Sequence, residues 1–262
     1  KSINIPNSVK QIGDYAFHNC SSLEHIDIGK GLKAIGTEAF IGCENVDVYI
    51  EDIASWCKIR FDSFISNPAY YTSNLYLNNK LIENLIIPEG VSFINKNAFI
   101  NNLNIKTVYL PTTIKNIEAG AFFNTEIKSV HISDLSKWCK VTLHSQVSNP
   151  MFRSADLFLN DKKVVDLAIP LNIEYIGPYA FCGANIKRVK MNQNISLIGY
   201  GAFLGCNNLK LVMLPKTIKY IDHLAFDGYS KNLAFKCDET DYIKTWLKDN
   251  KYTSVNATSS LN

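Results

Sequence analysis

The 262-residue chain has no apolar run of the roughly 18 residues a membrane-spanning helix needs, so no part of it is expected to insert into a bilayer. It has no Cys-x-x-Cys pair and no Cys/His cluster. Its five histidines, His18, His25, His131, His144 and His223, share no metal-ligand spacing. It has no Gly-x-Ser-x-Gly elbow, no His-Glu-x-x-His, no phosphate loop and no carboxylate pair at an interpretable spacing. No catalytic residue, metal or cofactor is therefore expected, and the chain is read as a non-enzyme. Excess charge of one sign is also scarce. Lys and Arg number 27 against 24 Asp and Glu, and a net charge of +3 does not argue for nucleic acid. Seven cysteines, an odd number, argue against a complete disulfide framework. What is present is apolar: 47% hydrophobic residues against 19% charged ones, enough to build a core and too much for a disordered chain.

The apolar residues are periodic. An Ala-Phe pair stands at Ala16-Phe17, Ala39-Phe40, Ala98-Phe99, Ala121-Phe122, Ala180-Phe181, Ala202-Phe203 and Ala225-Phe226, at intervals of 22, 23 or 59 residues. A period in the twenties marks a solenoid, in which one supersecondary unit stacks on the next. Before each pair runs a short alternating strand. Leu23, Ile26 and Ile28 recur as Ile105, Val108 and Leu110, as Ile127, Val130 and Ile132, as Ile186, Val189 and Met191, and as Leu209, Val212 and Leu214. That spacing turns three side chains toward one core. Pro6, Pro88, Pro111, Pro170 and Pro215 end the strand, since proline cannot donate to a ladder. The Ala-Phe segment is then expected to return along the opposite wall as a tight helical or irregular turn, its rings stacking into a continuous aromatic spine. Cys20, Cys43 and Cys206, each four residues after a repeat Ala, read as small buried ladder residues.

A longer period of 82 residues overlies the short one. It maps Trp56-Cys57-Lys58 onto Trp138-Cys139-Lys140, and Ser66-Asn67-Pro68 onto Ser148-Asn149-Pro150. Each super-unit then holds two short coils and one expanded coil, at about 46–88 and 128–170, and the third lacks the expansion. Asp52 to Lys58 and its copy Asp134 to Lys140 read as short helices. Asn78-Asn79-Lys80 and Asn160-Asp161-Lys162 read as tight hairpin turns. Lys1 to Pro6 resembles the end of a repeat strand, so the chain is read as beginning inside the array. Residues 1–235 form a single repeat domain in this reading, and 236–253 a cap. In the cap, Asp238-Glu239-Thr240-Asp241 opens a helix that buries Tyr242, Ile243, Trp246 and Leu247. Residues 254–262 read as a frayed tail.

The string IPNSVKQIGDYAFHNC, residues 5–20, closely resembles the BspA-like leucine-rich repeat, and the resemblance covers roughly residues 1–235. It departs from the pattern at Asn102, Thr125, Ala184 and Tyr229 in place of Cys, and at Asn95, Glu118 and Asp222 in place of Gly. The resemblance implies an α/β repeat solenoid. This would be a right-handed leucine-rich-repeat coil with a parallel sheet on one face, short helices or turns on the other, and a C-terminal capping helix. It also implies a secreted or cell-surface protein of a host-associated microbe, concerned with adhesion, co-aggregation or binding of host proteins, and it supplies no catalytic residues.

Function is then expected on the outward strand positions. These are Glu24, His25 and Asp27; Lys106, Thr107 and Tyr109; Lys128, Ser129 and His131; Lys187, Arg188 and Lys190; and Lys210, Leu211 and Met213. They run from acidic to basic along the chain, which could steer an acidic partner or anionic glycan to the C-terminal half. The candidate contact face is Glu24, Asp27, Lys106, Tyr109, Lys128, His131, Lys187, Arg188, Lys190 and Lys210. Tyr70 and Tyr71, matched in the second expanded coil by the Met151-Phe152-Arg153 region, are further candidates. Asn19-Cys20-Ser21, Asn194-Ile195-Ser196 and Asn256-Ala257-Thr258 fit a glycosylation pattern that matters only in a eukaryote. The leading expectation is a monomeric protein-binding module whose partner is a host or neighbouring-cell protein, with no nucleic acid. A carbohydrate-binding module or a passive cell-wall spacer are the alternatives.

Overall fold

The computed structural model describes residues 1–72, 74–228, 233–238 and 240–255. Two compact units are distinguished: Lys1–Lys128 with Val147–Pro150, and Ser129–Gln146 with Met151–Asn262. Both are stacks of coils with the leucine-rich-repeat fold.

In the first unit, strands Ser2–Ile5, His25–Ile28, Asp47–Ile50 and Leu75–Leu77 lie parallel and in register, with Ile3, Ile26, Val48 and Leu75 in one row. Strand Asn84–Ile86 pairs in the same way with Thr107–Tyr109. In the second unit, Ser129–Ile132 pairs with Asp156–Leu159. A further parallel sheet there runs through Asp166–Ala168, Arg188–Lys190, Leu211–Leu214, Ala234–Cys237 and Thr253–Val255. The inward triplets are buried as the spacing predicts: Leu23, Ile26 and Ile28 are 7%, 0% and 4% exposed, and the later triplets match. Each such side chain withdrawn from water contributes about 1.5–3 kcal/mol, which is what stacks one coil on the next.

A second ladder, absent from the sequence reading, forms each coil's other side. Its strands are two residues long: Gln11–Ile12, Ala34–Ile35 and Arg60–Phe61, then Phe93–Ile94 and Asn116–Ile117, in the first unit, and Tyr175–Ile176, Leu197–Ile198 and Tyr220–Ile221 in the second.

The Ala-Phe segment is a turn and not a helix. Left-handed residues bracket it, one before the Ala and one three after it: Tyr15 and Asn19, Asn97 and Asn101, Tyr179 and Gly183. Asn and Gly suit that conformation, and Tyr15, Glu38 and Tyr179 occupy it against their preference. The backbone then staples neighbouring coils. Phe17 N–H donates to the Ala39 carbonyl at 2.8 Å, Phe99 to Ala121 at 2.9 Å, Phe181 to Ala202 at 2.8 Å and Phe203 to Ala225 at 2.7 Å.

Among the described residues the rings do stack, but in three stretches, not one spine. Phe17 lies on Phe40 at 5.0 Å, Phe99 on Phe122 at 5.6 Å, and Phe181, Phe203 and Phe226 form a run at 5.4 and 5.2 Å. An expanded coil follows Phe40, and it brings a tryptophan instead of an Ala-Phe. The buried Trp56 indole N–H donates to the Ala98 carbonyl at 2.8 Å, and Trp138 repeats this on Ala180 at 2.9 Å. The indole thus fills the place that a Phe backbone N–H takes elsewhere.

Asn67 completes that junction. It is fully buried, donates to the carbonyls of Asn97 at 2.9 Å and Ala98 at 3.2 Å, and accepts from Ala69 N–H at 3.0 Å. The two short helices are Ile53–Trp56 and Leu135–Trp138, capped by the carboxylates of Asp52 and Asp134. Burial works to raise the Asp52 carboxyl, but hydrogen bonds from Ser55 and Ala54 outweigh it and hold the group below its ordinary value. Asn78-Asn79 and Asn160-Asp161 all have positive φ, the geometry of a type I′ turn. They join Leu75–Leu77 to antiparallel Lys80–Leu81, and Asp156–Leu159 to Lys162–Lys163.

Among the cysteines, Cys43 and Cys206 are buried ladder residues whose thiols donate to the carbonyls of Phe17 and Phe181. Cys20 is exposed, against expectation. Asn102, Thr125 and Ala184 occupy the cysteine position as buried residues, and Tyr229 lies outside the described residues.

At the C-terminal end, Thr240 caps helix Asp241–Asp249, which buries Ile243, Trp246 and Leu247. Phe226 meets Phe235 and Trp246 edge-on, so the helix covers the end of the Phe run. Tyr242 is half-buried, and its hydroxyl accepts from Ile221 N–H at 2.6 Å. Glu239 lies outside the described residues. Residues 254 and 255, read from sequence as tail, continue strand Thr253–Val255, while 256–262, including the Asn256-Ala257-Thr258 pattern, lie outside the described residues.

Candidate functional site: the outer sheet faces

Strand alternation exposes the residues between the buried ones. On the first unit's leading sheet this produces an aromatic row. Tyr49 lies against His25 at a centroid distance of 4.0 Å and against Tyr76 at 4.4 Å, stacked nearly parallel to the latter. Carboxylates flank it. His25 Nε2 lies 2.9 Å from Asp27, and Asn74 donates to Asp47 at 2.8 Å. Burial first, then the charges of Asp47 and Asp27, push the Tyr49 hydroxyl above its ordinary value; burial and Asp47 do the same to Tyr76. Tyr49 and Tyr76 were not singled out from sequence. Their alternation with Val48, Ile50 and Leu75 was the available signal, since it turns both rings outward.

Of the residues expected on this face, Asp27 is half-buried beside the row and Glu24 is exposed at the strand's start. Lys106 and Tyr109 belong to a different strand pair of the same unit. Lys106 is held by Glu126 at 2.7 Å, and exposed Lys128 follows, its N–H donating to the Lys106 carbonyl. In the second unit, His131 stacks on Phe158 at 4.5 Å and lies 3.2 Å from Asp161, an arrangement similar to the first row.

The expected basic residues do come together. Lys187, Arg188, Lys190 and Lys210 are all exposed: Arg188 and Lys190 on one strand, and Lys187 and Lys210 immediately before it and its neighbour Leu211–Leu214. Arg188, however, is spent locally. It forms a two-pronged ion pair with Asp166 at 2.6 and 2.7 Å, which lowers the Asp166 carboxyl. Leu211, expected outward with them, is only 8% exposed, because its register partners Arg188 and Ala234 shield it from both sides. Tyr70 and Tyr71 are half-buried packing residues. Tyr71 donates to the Ile65 carbonyl, and burial pushes its hydroxyl up to about 12. Met151, their counterpart, is fully buried.

One exposed row escaped the sequence reading altogether. Tyr175, Leu197 and Tyr220 stand in register on the second ladder of the second unit, 46%, 38% and 49% exposed. Among the described residues no cluster of His, Cys, Asp and Glu could hold a metal, and no helix is long and apolar enough to cross a membrane.

The model of the BspA type leucine rich repeat region matches in six copies, over residues 1–67, 55–146 and 154–261. The chain belongs to the BspA-type leucine-rich repeat family. Several solved structures are similar. A leucine rich cell surface protein from Faecalibacterium prausnitzii is 22% identical, with 100% of this chain and 80% of that chain covered, at a TM-score of 0.48. A leucine-rich repeat protein from Bacteroides ovatus is 20% identical, with 91% and 55% covered, at 0.49. The pneumococcal vaccine antigen PcpA is 15% identical, with 98% and 79% covered, at 0.46. No curated protein matches the chain.

Proposed function

We propose that this BspA-type chain is a non-enzymatic protein-binding and adhesion module of a secreted or cell-surface protein, monomeric, that holds its partner on the outer faces of its sheets. One observation carries the reading. Inward strand positions repeat the same aliphatic types, while the outward ones change from coil to coil: Asp27, Tyr49 and Tyr76 on one sheet, Lys190, Met213 and Lys236 on another. A surface that only had to stay wet would not need stacked aromatics beside carboxylates. The second unit's Lys187, Lys190 and Lys210 suit an acidic patch on a host or neighbouring-cell protein, since rim charges steer encounter and set partner choice. Arg188, neutralised by Asp166, contributes less. The test is surface plasmon resonance against extracellular host proteins captured by the chain, at two salt concentrations. Substituting Lys187→Glu, Lys190→Glu and Lys210→Glu together is expected to slow association and flatten its salt dependence. Unchanged association would remove the basic face from the proposal.

A further inference from the structure

The outer end of the first unit's leading sheet carries a cleft of about 480 Å³, within the range of small-ligand sites. Its lining includes Asn4, Asn7, Asp27, Tyr49, Glu51 and Asn79, drawn from three successive strands, the segments that follow them and the turn after the fourth. We infer that this cleft is a binding subsite for a neutral glycan.

The donor and acceptor set points there. Amides both donate to and accept from adjacent hydroxyls in the manner a sugar needs, carboxylates accept from them, and a tyrosine hydroxyl can do both. The groups are fixed in advance. Asn7 Oδ1 accepts from Lys30 N–H at 2.6 Å, which leaves the NH2 as its donor end. Asp27 is held by His25 through one oxygen, and the Tyr49 ring is clamped between His25 and Tyr76. Asn79 is set by its turn conformation, φ 62°. Gly29 lies in the cleft wall where a Cβ would stand 2.7 Å from the Ile5 carbonyl oxygen and 2.9 Å from Asn7 Oδ1, so only glycine lets the first two coils approach this closely. Such fixed polar groups lower the ordering cost of binding.

Charge then selects among glycans. No Lys, Arg or His lines the cleft, while Asp27 and Glu51 do. Two ammonium groups stand at its rim: Lys30 Nζ lies 3.6 Å from Glu51 and Lys10 Nζ lies 3.3 Å from the Asn7 carbonyl. A sialylated or sulfated glycan would meet the Asp27 and Glu51 carboxylates in the lining, with the ammonium groups only at the rim. An apolar peptide would leave the amides unpaired. This site is separate from the basic residues Lys187, Lys190 and Lys210 of the protein-binding proposal, so the two can fail independently.

The experiment is a glycan array probed with the purified chain, followed by titration with the best neutral oligosaccharide. Binding to neutral glycans over sialylated and sulfated ones is expected. Asp27→Ala and Tyr49→Phe should each weaken it roughly tenfold. Tyr49→Phe retains the ring stack and so tests the hydroxyl without disturbing the sheet. The triple substitution Lys187→Glu, Lys190→Glu and Lys210→Glu should leave glycan binding unchanged. Absence of neutral-glycan binding, a preference for acidic glycans, or binding insensitive to both Asp27→Ala and Tyr49→Phe would overturn the inference. So would capture of a basic peptide at the cleft in place of sugar.

Discussion

Asn67→Ala tests whether the expanded coil is locked to its neighbour by one buried amide. The substitution removes three hydrogen bonds at a residue with no exposed surface. Ala69 N–H, itself buried, loses its acceptor, at about 1–3 kcal/mol. Asn97 and Ala98 carbonyls each lose one donor but keep another: Ile100 N–H for the first and the Trp56 indole for the second. Those two losses cost about 0.5–1.5 kcal/mol each, so the whole falls in the range of about 2–6 kcal/mol, against a typical total stability of about 5–15 kcal/mol. The control uses the same chemistry at the surface. Asn208 donates to Asn185 at 2.7 Å on the exposed side, and Asn208→Ala should stay within about 0.5 kcal/mol. Urea unfolding followed by tryptophan fluorescence and by circular dichroism would measure both. A double-mutant cycle sharpens the point. Trp56→Phe combined with Asn67→Ala strips both donors from the Ala98 carbonyl, so the pair should cost more than the sum of the single changes, by about 0.5–3 kcal/mol. If Asn67→Ala proves no worse than Asn208→Ala, the junction is not where the coil is held.

Two other expectations follow from the same coils. Glu38 holds φ 52°, a conformation that costs a non-glycine residue about 1–2 kcal/mol, so Glu38→Gly should stabilise the fold by about 0.5–1 kcal/mol after glycine's greater unfolded freedom is counted; a melt showing destabilisation would contradict this. Burial raises the thiols of Cys139 and Cys182 from 9.0 to about 12 and those of Cys57 and Cys206 further. These groups stay protonated in the folded chain but ionise in the unfolded one. Their stabilising effect is complete below about pH 9 and is lost as pH rises toward 12, at about 1.4 kcal/mol per pH unit for each thiol. Native-state thiol titration at pH 8 should accordingly label exposed Cys20 fast and these four slowly. Fast labelling of Cys57 or Cys206 would show that the coils open far more readily than their packing implies.

The coil itself was legible because its signals are local and repeated. Ala-Phe recurs at a fixed interval, proline ends the strand by lacking an N–H, and adjacent Asn-Asn or Asn-Asp residues announce a turn with positive φ. What escaped was non-local or too short. Strands such as Gln11–Ile12 have two residues, and no periodicity can be read from two. The spacing showed that Ser66-Asn67-Pro68 repeats, but not that Asn67 reaches carbonyls 30 residues away. Tyr49 and Tyr76 meet only because the expanded coil returns its strand to register, a property of the fold and not of either segment. Leu211 looked exposed by alternation and is shielded by its neighbours on both sides. The Asp166–Arg188 pair likewise needs two coils in place before it forms.

The account places binding on the outward strand residues and assigns the Ala-Phe turns to holding register. The most direct measurement is adhesion of beads coated with the chain to cultured host cells, comparing three variants that unfold at the same temperature as the parent. The first combines Asp27→Ala with Tyr49→Phe, the second carries Glu at positions 187, 190 and 210, and the third replaces Tyr175, Leu197 and Tyr220 on the second ladder with serine. Loss of adhesion in the first or second variant, with the third unaffected, is the predicted result. Adhesion retained in the first two and lost in the third would contradict the account and move the binding surface to the opposite ladder.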